Sequence, residues 1–418
     1  MMTTLLRGPM FRLNVVVMSS LAFLAFGFQS PSGPIEVLQL PVAALQVYFI
    51  LAVGVQVGWS GLVAPFTARQ RWLIGALMVY VLAVSATSPV PSALILAPSW
   101  IIHILFFVVL VSFFKEGDFS ATDVIWQVLG LTALLHVCAF FIGLIIWPAS
   151  IYANDLPAFG NIRHLGYLLA PAAAVMAMLY VTRFEGAIFP LVCFSAATFY
   201  ILYTGSRGGA VALVAGLVVA GAFCAWCGQN ARMSRVVVLL VATGLLIILS
   251  ELLPSLPWPP VFSRGVATID QSRLEMLQGR GAVWQFVVQA IQQNWLWGYG
   301  PGLMSDVPNY PLGTPYYQPH NIGLQLMMHW GIVGTCLIFA TAVSFSSNVS
   351  AALRQRPNTA ILPLVAISTI CIHALVDGGL FYPFSVVIAI IAFAMLVIIG
   401  GQYSDQSQQW AESARDCA

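Results

Sequence analysis

ALILAPSWIIHILFFVVLVSFF, residues 93–114, carries no Asp, Glu, Lys or Arg, and its one titratable side chain of any kind is His103. At 1.5 Å of rise per residue these residues make a helix of roughly 33 Å, enough to cross the hydrocarbon core of a bilayer. Runs of the same kind recur along the 418 residues. The chain is 60% hydrophobic and 7% charged, with a mean hydropathy of +0.91, where a soluble domain carries about a quarter charged residues. Barrel strands would alternate polar and apolar residues over about ten positions, which is not the pattern. The reading is an all-α polytopic membrane protein. Its net charge of +2 gives no reason to expect a nucleic-acid partner.

Apolar periodicity predicts about twelve transmembrane helices, near 13–29, 42–64, 72–87, 93–114, 123–147, 165–182, 187–204, 209–228, 235–252, 320–346, 359–379 and 384–401. The organisation expected is helices 1–9 within 1–252, one large loop at 253–319, helices 10–12 within 320–401, and a cytoplasmic tail at 402–418. The loop is long, aromatic and turn-rich, and loops of that length in compact proteins are usually functional or disordered. With both termini in the cytoplasm, 11 of the 16 basic residues fall inside and 5 outside, as the positive-inside rule requires. The large loop then faces outward. Cys224 and Cys227 have C-x-x-C spacing, but they sit at a span end with no βαβ pattern, which argues against a redox motif.

Arg163 and Arg207, in short outward connections, run against the charge rule, which is weaker for the three arginines of the long loop; a guanidinium is a forked donor suited to phosphate. YTGSRGGAVAL (203–213) sets Arg207 among glycines at the start of a span. Glycines let backbone amides approach a ligand, and a helix start favours anions. Phosphate binding and headgroup anchoring both remain open there. Residues 270–295 read as an amphipathic helix opening on a Ser272–Glu275 capping box. Arg273, Arg280 and Trp284 share one of its faces. A helix lying on the membrane surface is the competing account.

AFGNIRHLGYLLAP (158–171) puts Asn161, Arg163 and His164 at an outer span mouth, for substrate or for interfacial anchoring. In CIHALVDGGLFYP (371–383), His373 and Asp377 stand at i and i+4, either as a helix-stabilising pair or as functional groups near the membrane. Asp377, nearer the outer surface, is the stronger candidate. GYGPG (298–302) reads as a turn returning the loop to the membrane. In QPHNIGLQLMMHWGIVG (318–334), His320 is the best outward general base, because imidazole titrates near neutrality. Taken alone, a histidine at a span mouth is more often structural than catalytic. The deeper His329 reads as a packing residue. The outward acidic residues are scattered, so no metal ligand set and no cofactor are expected.

His320-Asn321, nine residues, Gly331, two residues and Gly334 form a pattern that resembles bacterial O-antigen ligases, in a superfamily with O-antigen polymerases and protein O-oligosaccharyltransferases. The SRGG junction and the late outward loop ending in PHN are similar to that superfamily too. The family's Arg-x3-Leu element is approximate, since Val211 stands where the leucine would. The resemblance implies a bundle of the lipid-sugar (GT-C type) glycosyltransferase kind in a bacterial inner membrane, with a periplasmic loop and active site. The donor it implies is a glycan on undecaprenyl pyrophosphate, and the acceptor is a hydroxyl of lipid A–core oligosaccharide. His320, Arg207 and Arg280 are then the expected catalytic residues. Asn321, Asn161, Arg163, His164, Arg273, Trp284 and Asp377 are the expected substrate contacts, and membrane lipids are the surrounding partners. A transporter of the same lipid-linked glycan is the reading from another class, and matching repeats would favour it. No internal repeat is evident.

Overall fold

The computed structural model of the chain describes residues 35–116, 120–146, 166–183, 187–253, 260, 273–311 and 318–416. Among them the regular elements are all helical. In order they are α1 (Ile35–Val57), α2 (Trp59–Val63), α3 (Ala68–Thr87), α4 (Pro91–Glu116), α5 (Ser120–Ile146), α6 (Gly166–Thr182) and α7 (Ile188–Tyr203). There follow α8 (Arg207–Trp226), α9 (Asn230–Leu252), α10 (Arg273–Gln293), α11 (Ile322–Val343), α12 (Ser346–Gln355), α13 (Pro357–Val376) and α14 (Pro383–Asp416). Eight helical stretches are long and apolar enough to cross a membrane, and three apolar helices of 16 to 17 residues accompany them, at Val42–Val57, Gly166–Thr182 and Ile188–Tyr203. This is the architecture of a polytopic membrane protein. The span expected at 13–29 lies outside the described residues.

Lipid tails are as apolar as leucine, so helices in a membrane associate through close packing of small residues rather than by escaping water. The chain uses this at its centre. α6 is an alanine-rich helix buried almost end to end and enclosed by α5, α7, α8 and α13. The glycines of α8 face it. A Cβ on Gly209 would lie 3.3 Å from the Cα of Gly166, and one on Gly216 would strike Thr369 of α13 and come within 3.5 Å of the Ala174 Cβ. Glycine at these positions therefore draws α6, α8 and α13 together. Since α8 begins where α13 ends, the same packing brings Arg207 and Gly208 to the last turn of α13.

The basic residues at the other end of this bundle make their own contacts. Arg232 donates to Gln229 Oε1 at 2.8 Å and also meets Asn358, beside the start of α13. Arg235 donates to the carbonyl oxygen of Val181, near the end of α6, at 2.9 Å.

Two features of α11 shape the site. The span expected from 320 opens at Ile322, with Asn321 as its cap and His320 ahead of it. At Gly331 the helix breaks, with φ 54° and ψ −168°, and the residue lies close against the backbone of Leu296 and Gly298. The turn after α10 fills the break. Tyr299 N–H donates to Met328 at 2.9 Å and Gly300 N–H to His329 at 2.8 Å; in return, Ile332 N–H donates to Trp295 at 2.8 Å. The Tyr80 hydroxyl of α3 lies 2.6 Å from the carbonyl oxygens of both Trp297 and Trp330. Backbone groups freed by the break are thus satisfied inside the protein, as membrane depth demands. Gly334 packs tightly on Tyr80 and Trp330. His329 is buried, as expected of a packing residue.

Candidate active site

The last turn of α13 leaves carbonyl oxygens with no partner inside the helix, as every helix end does. Two candidates from distant parts of the sequence cover them. Asn321 Nδ2 donates to the Leu375 carbonyl at 3.0 Å, while its Oδ1 accepts the Leu324 N–H at 3.1 Å and caps α11. One guanidinium N–H of the exposed Arg280 donates to the Val376 carbonyl at 3.3 Å, where a positive charge also suits the helix dipole. Both amide ends of Asn321 therefore do structural work in the free protein.

Asp377 follows, already extended at φ −155°, and its N–H donates back to His373. Its carboxylate does not pair with His373, as i, i+4 spacing allows. Oδ1 instead meets His320 Nδ1 at 2.6 Å and accepts the Gly378 N–H at 2.8 Å. His320 and Asp377 are each about a quarter exposed. Burial works to raise the Asp377 carboxyl. The His320 hydrogen bond and charge outweigh it, helped by the Gly378 N–H and the Tyr167 hydroxyl, and hold the carboxyl below the usual range.

Three constraints fix this pair. His320 sits at φ 54°, a left-handed conformation that is uncommon outside glycine and costs of order 1–3 kcal/mol where the surroundings impose it. The residue before it is tied down, because Trp284 Nε1 of α10 donates to the Pro319 carbonyl at 2.9 Å. Behind Asp377, Tyr167 of α6 stacks on Tyr382 with centroids 4.9 Å apart and lies 4.6 Å from the His373 ring. Gly208 completes the wall. A Cβ there would stand 3.0 Å from His373 Nε2 and 3.5 Å from the Asp377 Cβ, which leaves no room for a side chain beside Arg207.

Arg207 is the half-buried first residue of α8. It, Arg280, Trp284, His320, Asn321 and Asp377 therefore belong to one end of the bundle, opposite Arg232 and Arg235. Asn161, Arg163 and His164 lie outside the described residues, as do Ser272 and the side chain of Arg273. Among the described residues, no three His, Cys, Asp or Glu side chains come together in a way that could hold a metal ion. The sequence reading missed Tyr167, Gln318 and Gly378. Gly378 immediately follows Asp377 and Gln318 stands two residues before His320, but nothing in spacing marks any of the three as part of the site.

An imidazole whose Nδ1–H donates to a carboxylate presents its Nε2 lone pair outward, so the arrangement can accept a proton from a hydroxyl. Arg280 leaves most of its guanidinium fork exposed next to that pair.

Residues 191–339 match the family model described as O-antigen ligase. The match takes in Arg207, Arg280, Trp284, His320 and Asn321 and ends before Asp377. It supports the resemblance to O-antigen ligases, whose superfamily consists of glycosyltransferase-like ligases and polymerases. No curated protein matches the chain.

Proposed function

We propose that the chain is an O-antigen ligase. It would transfer a glycan from undecaprenyl pyrophosphate to a hydroxyl of lipid A–core oligosaccharide at the periplasmic face of the bacterial inner membrane. The observation that carries this reading is the His320–Asp377 pair at 2.6 Å, set beside Arg280 at one end of a membrane bundle. His320 Nε2 takes the proton of the acceptor hydroxyl, a role typically worth about 10²–10⁴-fold in rate. Asp377 holds the ring in the tautomer that makes this possible, and stabilises the imidazolium that forms. The acceptor oxygen attacks the anomeric carbon as the bond to the pyrophosphate breaks, so a single displacement inverts that centre. Arg207 and Arg280 neutralise the departing pyrophosphate electrostatically, without a metal.

The scattered Arg163, His164, Asn161 and Arg273, with Trp284, remain substrate-binding candidates in this reading. An O-antigen polymerase or a protein O-oligosaccharyltransferase would use the same machinery on a different acceptor. Purified enzyme given the lipid-linked donor is to be offered lipid A–core, a second lipid-linked unit, or an acceptor protein. Transfer to lipid A–core that His320→Ala abolishes, and that EDTA leaves intact, supports the reading. Near-wild-type transfer by His320→Ala overturns the base assignment. Loss with EDTA and recovery with a divalent ion overturns the metal-independent mechanism.

A further inference from the structure

Gln318 is the most anomalous polar side chain near the site. It is 3% exposed, and neither its amide nitrogen nor its amide oxygen has a hydrogen-bond partner among the described residues. An unmet buried amide costs about 1–3 kcal/mol relative to a satisfied one, and folded proteins keep few of them. Its position is specific. The amide lies on Gly378 so closely that a Cβ at 378 would overlap it, and Gly378 is the residue whose N–H supports the Asp377 carboxylate. In sequence it stands two residues before His320, on the segment that Trp284 pins through Pro319. A side chain serving only as packing here would do better as methionine, which has similar volume and no polar group to leave unpaired.

We propose that Gln318 is an acceptor-recognition residue. Its amide, held against Gly378 in the free protein, turns to hydrogen-bond a hydroxyl of the acceptor sugar adjacent to the one that His320 deprotonates. An amide offers both a donor and an acceptor, and so does each sugar hydroxyl, so the pairing is matched whichever way the amide faces. The side of the reaction follows from the chain. Gln318 shares its segment with the base that handles the acceptor, whereas the arginines assigned to the donor pyrophosphate come from α8 and α10. This inference rests on the function proposed above.

The test is steady-state transfer from the lipid-linked donor to lipid A–core by the full-length Gln318→Met protein, alongside wild type and His320→Ala. The expected result is an acceptor KM raised about tenfold, a donor KM within about twofold of wild type, and a thermal midpoint unchanged or raised. An unchanged acceptor KM in a folded Gln318→Met protein overturns the inference, as does a rise confined to the donor KM. If the variant fails to fold, wild-type enzyme is given acceptors lacking, one at a time, each hydroxyl flanking the reactive one. About a tenfold loss with one of them supports the inference, and equal use of all of them overturns it. Retained transfer in His320→Ala would instead remove the proposed function itself, so the two failures are distinguishable.

Discussion

His320 and Asp377 are 57 residues apart in sequence, and His320 Nδ1 lies 2.6 Å from Asp377 Oδ1. The carboxylate selects the tautomer of the ring, so its charge and shape both count. Asp377→Asn keeps the shape and loses the charge, and is expected to lower kcat by about 10²–10⁴-fold with little change in acceptor KM. His320→Ala should cost a similar factor, and the double variant hardly more than either, because the two act as one unit. Multiplying losses would argue against a coupled pair.

Asp377 also links stability to pH. Its folded carboxyl is held below the unfolded value, so folding favours the deprotonated form. The stabilisation is complete above the unfolded carboxylate range, near pH 4, and is withdrawn as the pH falls toward the folded value. Thermal midpoints of detergent-solubilised protein between pH 3 and pH 6 should therefore fall on the acid side more steeply for wild type than for Asp377→Asn. Parallel curves would count against the electrostatic account.

Trp284 restrains the base through one hydrogen bond to the Pro319 carbonyl. Trp284→Phe retains a ring for packing but leaves that carbonyl without its donor. Loss of about 0.5–1.5 kcal/mol of restraint corresponds to roughly a two- to tenfold fall in kcat. Stopped-flow or quenched single-turnover transfer measures it without interference from product release.

Arg207→Lys tests the use of a fork rather than a point charge. A lysine cannot hold two phosphate oxygens in one plane, so at least a tenfold loss of kcat/KM for the lipid-linked donor is expected. Full activity would assign Arg207 to lipid headgroups.

Gly331→Ala addresses the scaffold. The backbone at φ 54° and ψ −168° is open almost only to glycine, and a Cβ would lie 2.5 Å from the Leu296 carbonyl oxygen. Destabilisation of at least about 1–3 kcal/mol is expected, read as a lowered thermal midpoint.

The membrane architecture was legible in the sequence because a span announces itself by length and apolarity alone. Arg280 and Trp284 were legible as neighbours because helical spacing places i and i+4 on one face. Asp377 was legible only as a candidate. Its partner was not legible, because spacing presents only the nearest histidine, His373, while the contact with His320 depends on a non-helical loop across 57 residues. The break at Gly331 was hidden for a related reason. A glycine inside an apolar run reads equally as a packing point or an interruption, and only the turn at 294–300 decides between them. Gln318 and Tyr167 had no signal of their own. A buried amide and a buried phenol become notable only when their surroundings are known.

The broken helix has a mechanical consequence. Four backbone hydrogen bonds stitch residues 295–300, just beyond α10, to residues 328–333 of α11. α10 carries Arg280 and Trp284, and α11 begins two residues after His320, so the stitched pair forms one unit, while Asp377 follows the end of α13. Any displacement of that unit away from the end of α13 would stretch the His320–Asp377 contact together with the hydrogen bonds of Arg280 to Val376 and Asn321 to Leu375.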